Sequence, residues 1–190
     1  AMRSNVFLSL FFVVLFALSP LSSAQEGTVP GIQVRNLLVT ELEKGTDIQG
    51  ASNQVSEKVI DEALYFDASG TAYLAENQKV FESLVGLLND NASGFELAIA
   101  GFAQLPDQAP QVVTITILMF PDSASEVYNI ALQMQVISEE DALLAVINAG
   151  IDPSTLTATA AGGTGNTFSP LGVGTGAAGA GGGDTTISAN

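Results

Sequence analysis

Apolar residues recur at helical spacing through residues 51–161 of the chain. The spacing predicts a first helix there, with Ser52 or Asn53 as its N-cap. It then predicts a longer helix from Tyr73 to Leu88, ended by the turn sequence Asn89-Asp90-Asn91. The apolar positions that define the two helices are Val55, Val59, Ile60, Ala63, Leu64, Phe66, Tyr73, Leu74, Val80, Phe81, Leu84, Val85, Leu87 and Leu88. The pattern predicts an all-α fold.

Turn and cap signals then return every 15 residues. They fall at Asn91, Pro106, Pro121, Val136 and Ile151. Pro at a first helical turn with an acidic residue beside it favours a helix N-terminus. Two such units form a helical hairpin of about 30 residues, within the period range of stacked helical repeats. We therefore expect a repeat-like bundle of short stacked helices. The alternative is a small all-α domain whose helices merely have similar lengths.

The segment Gln111–Phe120 (QVVTITILMF) supports two interpretations. Its run of β-branched residues favours a strand. The 15-residue period and the Ala-rich neighbouring segments favour a helix. We predict a helix.

The regions on either side of residues 51–161 have a different composition. Residues 25–50 form a polar lead-in with one short helix predicted over Gln33–Lys44. Residues 162–190 are mostly Gly, Ala, Thr and Ser, and their sizeable apolar side chains are Phe168, Leu171, Val173 and Ile187. Because so few apolar groups cannot offset the entropy of ordering, we predict that this Gly-rich tail is disordered in the free monomer.

The first 24 residues have the pattern of a cleavable secretory signal peptide. Arg3 supplies the positive charge, Val6–Leu18 is the apolar core, and Pro20 precedes the small residues Ser22-Ser23-Ala24. The apolar core has about 13 residues, whereas a membrane-spanning helix needs roughly 20. We therefore expect a secreted or cell-surface protein that begins near Gln25 and keeps no stable membrane span. A periplasmic location and an uncleaved N-terminal anchor are the alternatives.

Charge and missing residue types exclude several classes of function. Without residues 1–24 the chain has four basic and 20 acidic residues, a net charge of −16. Such a surface repels nucleic acid and anionic lipid, although the charge alone also keeps an apolar-rich protein dispersed. With no Cys and no His, the chain has no disulfide, thiolate nucleophile, imidazole base or His/Cys metal site. The enzyme chemistry that remains uses paired carboxylates or a Ser-Lys pair.

Two motifs resemble ligand sites in letters only. Asn89, Asn91, Ser93 and Gly94 match positions 1, 3, 5 and 6 of a calcium loop, but position 12 is Ala100 instead of a bidentate Glu. We therefore predict a capped turn there, and a weak calcium site built from scattered carboxylates stays open. Residues 172–177 (GVGTGA) match the dinucleotide-binding pattern, but no strand is predicted before them and no helix after them.

The acidic clusters Asp61-Glu62 and Glu139-Glu140-Asp141 are candidates for an acid/base pair. Glu139–Asp141 lies in a predicted first helical turn, where carboxylates complement the helix dipole anyway. Adjacent residues on a helix also point in different directions. We therefore assign no catalytic, cofactor-binding or metal-binding residues.

Four motifs give the chain a resemblance to known sequences. They are Pro106-Asp107-Gln108-Ala109, Pro121-Asp122-Ser123-Ala124, Ala149-Gly150-Ile151-Asp152-Pro153 and Gly181-Gly182-Gly183. Through them, residues 90–190 resemble uncharacterised secreted bacterial proteins in which short Ala-rich helices precede a Gly-rich C-terminal tail. The resemblance implies this organisation and brings no activity with it.

These observations favour an exported, non-enzymatic structural or interaction protein. We expect it to associate with itself or with another surface protein, as a filament or matrix subunit, and to need no cofactor. The alternative is a monomeric helical binding module for an apolar ligand or a cationic partner. An enzyme ranks third, and a Ser-Lys mechanism would have to use Lys44, Lys58 or Lys79.

Overall fold

A computed structural model describes residues 29–157 of the chain. Within this range every regular element is helical, which confirms the predicted all-α class. The helices are α1 (Pro30–Glu43), α2 (Ile48–Asp61), α3 (Ala68–Glu76), α4 (Gln78–Leu87), α5 (Gly94–Gln104), α6 (Ala109–Met119), α7 (Ala124–Gln133) and α8 (Glu139–Asn148). Three 3-10 turns accompany them at Pro106–Gln108, Pro121–Ser123 and Pro153–Thr155. The predicted signal peptide, the GVGTGA motif and the Gly-rich tail lie outside the described residues.

The segment expected to be a polar lead-in contains α1, which packs into the common core. Val34 and Leu38 are fully buried, and α1 contacts α2, α4 and α6. The Arg35 side chain donates its Nε–H to the Leu88 carbonyl at 2.9 Å, at the C-terminal end of α4. A cation suits the negative end of a helix dipole, so this contact ties α1 to α4. The packed core therefore extends N-terminal of residue 51 and includes α1.

The predicted N-caps Ser52 and Asn53 are wrong. α2 begins at Ile48, and the Asp47 side chain caps it by accepting the Gly50 N–H at 2.7 Å. Ser52 lies inside the helix instead, where its hydroxyl donates to the Ile48 carbonyl at 2.6 Å. The helix also stops at Asp61, although the apolar positions at helical spacing continue to Phe66.

The long helix predicted from Tyr73 to Leu88 is in fact two helices. α3 ends at Glu76 and α4 begins at Gln78. Asn77 lies between them, and its backbone angles (φ −116°, ψ 34°) are not helical. The Asn77 amide donates to the Tyr73 carbonyl at 2.9 Å, and so does its backbone N–H at 3.0 Å. The side chain therefore satisfies the last turn of α3 locally and lets the chain change direction.

The 15-residue period is present in the second half of the chain. Helices α5 to α8 start at Gly94, Ala109, Ala124 and Glu139, each 15 residues after the one before. Pro106 and Pro121 begin the 3-10 turns that lead into α6 and α7, as expected for Pro at a first helical turn. Consecutive helices of this series pack against each other.

Helix α6 is the centre of the molecule and confirms the helical prediction for Gln111–Phe120. It contacts α1, α4, α5, α7 and α8. Its buried residues lie on all sides of the helix: Ala109, Val112, Val113, Thr114, Ile115, Thr116, Ile117 and Met119. A helix that is apolar all round is stable only when it is surrounded, and here surrounding helices override the strand preference of its β-branched residues.

Candidate interaction surface

The turn that resembles a calcium loop is a pair of local caps. The Asn91 amide donates to the Leu87 carbonyl at 2.9 Å and so closes the end of α4. The Ser93 hydroxyl accepts the Glu96 N–H at 3.3 Å and caps α5. Ala100 lies within α5. These side chains complete helix ends, in agreement with the capped turn that the sequence predicts.

The two acidic clusters lie on different helices. Asp61 ends α2, whereas Glu139–Asp141 forms the first turn of α8. The Ser138 hydroxyl accepts the Asp141 N–H at 3.2 Å and donates to the Asp141 carboxylate at 2.7 Å, so this acid completes a helix cap. Between residues 29 and 157 no group of three or more acidic side chains is arranged to hold a metal ion.

Two of the candidate lysines pair with glutamates. Lys44 Nζ lies 2.8 Å from Glu41 Oε1, and Lys79 Nζ lies 3.4 Å from Glu82 Oε2. Ser83 donates its hydroxyl to the backbone carbonyl of Lys79, at 2.9 Å, and not to its amine. Neither pairing has the hydroxyl–amine contact that a Ser-Lys nucleophile needs.

Glu82 is a site that sequence reasoning missed. Its side chain is only 9% exposed, although the Lys79 side chain that meets it is 90% exposed. The carboxylate also accepts the Gln49 amide at 3.3 Å. It lines an open cavity of about 230 Å³ between α2 and α4, with Ile48 and Leu87 among the apolar walls. A lone Glu in an amphipathic helix carries no signal that separates this position from an exposed one.

Charge is distributed unevenly along the chain. All the basic residues of the described part lie in its first half, at Arg35, Lys44, Lys58 and Lys79. From Val80 to Thr157 the chain has no Lys or Arg, and its acidic residues are Glu82, Asp90, Glu96, Asp107, Asp122, Glu126, Glu139, Glu140, Asp141 and Asp152. All the charged side chains that α5 to α8 contribute to the surface are therefore acidic.

One face of α8 exposes large apolar side chains. Leu144 is 52% exposed and Ile147 is 51% exposed, and they lie three residues apart on one side of the helix. Ala142, Ala145 and Val146 face the core instead. We call Leu144 and Ile147 the α8 apolar face. Sequence periodicity does not reveal it, because residues 142–147 are all apolar and no polar side marks the solvent.

A second apolar feature lies between α5 and α7. Phe95 on α5 is 40% exposed and, with Glu126, Asn129, Ile130 and Gln133 of α7, it lines a groove of about 340 Å³. We call it the α5–α7 groove. Its size is near the lower end of the range for small-ligand pockets and suits one or two bulky side chains.

None of the known protein families, curated proteins or solved structures that were compared matches this chain. The described part of the chain also contains no helix with the length and apolarity needed to cross a membrane.

Proposed function

We propose that this chain is an exported, non-enzymatic structural protein that associates with copies of itself in an assembly at the cell surface or outside the cell. Export is supported by the N-terminal pattern of charge, apolar core and small residues. The non-enzymatic part of the proposal is supported by the lack of Cys and His, which removes thiolate and imidazole chemistry.

The observation that carries the proposal is the α8 apolar face. Exposing Leu144 and Ile147 to water is unfavourable, and covering them with another protein surface stabilises the complex by about 25 cal/mol per Å² of apolar area removed from water. The face belongs to α8, the last helix of the 15-residue series. No α-helix follows α8 in the described part of the chain to cover this face. A second copy supplies an equivalent apolar face, as a two-fold contact requires.

Charge sets the conditions for this association. The α8 face lies in the half of the described chain without basic residues, and Glu139, Glu140 and Asp141 occupy the first turn of the same helix. Two copies that meet there repel each other unless salt or a divalent cation screens the carboxylates. Association is therefore expected to strengthen with ionic strength and with calcium.

The test measures the mass of the protein by size-exclusion chromatography with light scattering, and its shape by negative-stain microscopy, in low salt, in physiological salt and with added calcium. We expect oligomers that grow with protein concentration and with salt. The double substitution Leu144→Glu/Ile147→Glu is expected to leave a monomer under all three conditions.

Ile48→Glu is the matched control, since Ile48 is 44% exposed but lies on α2, away from α8. It should associate as the unmodified chain does. The proposal would be contradicted if the unmodified chain stayed monomeric at high concentration in all three solutions. It would also be contradicted if the Leu144→Glu/Ile147→Glu variant assembled as much as the unmodified chain.

A second candidate function is a binding module for a cationic ligand, favoured by the Glu82 cavity. A nearly buried carboxylate between the apolar side chains of Ile48 and Leu87 offers an amine both charge and apolar contact. The probe is putrescine, with the uncharged 1,4-butanediol as control. This function predicts a rise in melting temperature with putrescine alone, and its loss in Glu82→Gln. No rise with putrescine would rule it out.

A further inference from the structure

The last described residues of the chain are fastened to α7. The Asn129 amide donates to the Thr157 carbonyl at 2.9 Å, and the Thr157 N–H donates to the Ser125 hydroxyl at 3.0 Å. The preceding 3-10 turn is held by Asp152, whose carboxylate accepts the Ser154 N–H at 2.9 Å. That backbone hydrogen bond lowers the pKa of Asp152. The chain beyond Thr157 therefore starts from a fixed point on α7.

That fixed point is at the rim of the α5–α7 groove. Asn129 both holds Thr157 and lines the groove, next to Ile130 and opposite Phe95. The only charged side chain lining the groove is Glu126. An apolar, uncharged segment thus fits it better than an acidic one.

The sequence that follows supplies such a segment after a short connection. Residues 158–167 contain only small or polar side chains, and Phe168, Leu171 and Val173 come next. No charged residue occurs between Asp152 and Asp184. A ten-residue connection spans up to about 35 Å when fully extended, and about 18 Å on average for a Gly-rich chain. The segment therefore reaches the groove, because the groove is lined by Asn129, which holds Thr157.

We propose that the α5–α7 groove binds residues Phe168–Val173 of its own chain, with the Phe168 ring against Phe95 and Ile130. The tether raises the effective concentration of the segment at the groove to the millimolar range, so even a weak intrinsic affinity is enough to fill it. Because Phe95 and Ile130 then lose contact with water, the segment covers apolar surface that the described helices leave exposed. This inference is independent of the proposed function, since the α8 apolar face is a different surface. It replaces the predicted disorder of the tail at Phe168–Val173 alone, because the groove offers these few apolar side chains a surface that composition does not reveal.

The experiment uses the full chain, which has no Trp, so a single introduced tryptophan is an unambiguous fluorescent reporter. Phe168→Trp places it in the segment, and Ile187→Trp places it elsewhere in the tail as the control. We expect acrylamide to quench the reporter at 168 about threefold less than the reporter at 187, because docking shields it. Protection should persist on dilution, as an intramolecular contact requires.

Adding Phe95→Glu to the Phe168→Trp protein should raise quenching to the level of the 187 reporter. Glu is tolerated at this position because a carboxylate in the first turn of α5 complements its dipole. Gln133→Glu, at an exposed position on the groove rim, is the second variant if circular dichroism shows that the first has not folded. Gln54→Glu, at an exposed position on α2 and outside the groove, should leave the protection intact.

Three results would overturn the inference. The first is equal quenching at positions 168 and 187. The second is protection that survives in folded groove variants. The third is protection that disappears on a roughly hundredfold dilution, which would place the segment in the groove of a second copy instead.

Discussion

Two buried threonines on α6 differ only in what their hydroxyls contact. Thr114 Oγ1 donates to the Pro110 carbonyl at 3.1 Å or the Ala145 carbonyl at 3.0 Å, the second of which joins α6 to α8. Thr116 Oγ1 is equally buried and has no hydrogen-bond partner among the described residues. Removing a satisfied hydroxyl loses a hydrogen bond, whereas removing an unsatisfied one relieves a desolvation cost.

We therefore expect Thr114→Val to lower the free energy of unfolding by about 1 kcal/mol, and Thr116→Val to raise it by about 1 kcal/mol. Urea denaturation of both variants measures the two changes. Because the substitutions are identical in volume and lie on the same helix, each is the control for the other. Equal changes of the same sign would contradict the contacts described for α6.

Tyr128 on α7 has a pKa raised above its usual value of 10.0, because burial disfavours the phenolate and the Glu139 carboxylate repels it. The pKa of Tyr128 is higher in the folded chain than in the unfolded chain. The stability that this difference contributes is therefore complete below the unfolded pKa, and it is lost as the pH rises through the folded pKa. We expect Tyr128→Phe to lose less stability than the unmodified chain between about pH 9 and pH 11. Urea denaturation of Tyr128→Phe and of the unmodified chain at each pH measures this. An equal loss of stability in the two proteins over this range would argue against it.

At the scale of the helices, Gly101 sets how closely α5 packs. A Cβ at this position would lie 2.7 Å from Val112 Cγ1 of α6 and 2.9 Å from Leu84 Cδ2 of α4. Alanine in place of glycine normally stabilises a helix by about 1 kcal/mol. Here the clash with two buried side chains outweighs that gain.

We expect Gly101→Ala to lower the free energy of unfolding by about 1–3 kcal/mol. Gly50→Ala, whose added methyl would meet Thr46 Cγ2 at 3.1 Å near the exposed start of α2, should cost at least about 1 kcal/mol less. Thermal denaturation followed by circular dichroism compares the two. If Gly101→Ala is the more stable variant, the helices do not approach as closely as described.

Sequence patterns predicted some of the helix boundaries and missed others. The period from α5 to α8 was predictable, because Pro106, Pro121 and Ser138 are local signals at helix starts. The break at Asn77 was not, since apolar spacing continues across it. Nor was the loop after α2, where Ala63 and Tyr65 have positive φ values of 49° and 67° without being glycine. At Ala63 the positive φ closes the end of α2, because the Leu64 N–H donates to the Val59 carbonyl at 2.9 Å. A residue other than glycine adopts such a φ at a local cost of about 1 kcal/mol or more.

At the scale of the whole molecule, the net charge of −15 opposes compactness. Surface carboxylates without basic neighbours repel each other, and this repulsion is strongest in low salt. We expect the melting temperature to rise by a few degrees between about 10 mM and about 150 mM sodium chloride, as the screening length falls from about 30 Å to about 8 Å. Differential scanning calorimetry at low protein concentration measures this apart from association. A melting temperature that is constant or falls would contradict it.

The candidate surfaces were the least predictable part of the molecule. The α8 apolar face exists because the core covers one side of an apolar helix and leaves the other side exposed. The α5–α7 groove brings together residues that are more than 30 positions apart in the sequence. Both depend on how the helices pack, which apolar spacing does not encode. The excess of negative charge, in contrast, was visible in composition alone.

The absence of Lys and Arg after Lys79 has a practical consequence for anyone who handles this protein. Trypsin cleaves only after these residues, so digestion leaves Val80 to Asn190 as one large fragment. Amine-directed cross-linkers attach only in the first half of the chain and report nothing about α5 to α8. Any protease of trypsin specificity likewise finds no cleavage site in the half that carries the α8 apolar face and the α5–α7 groove.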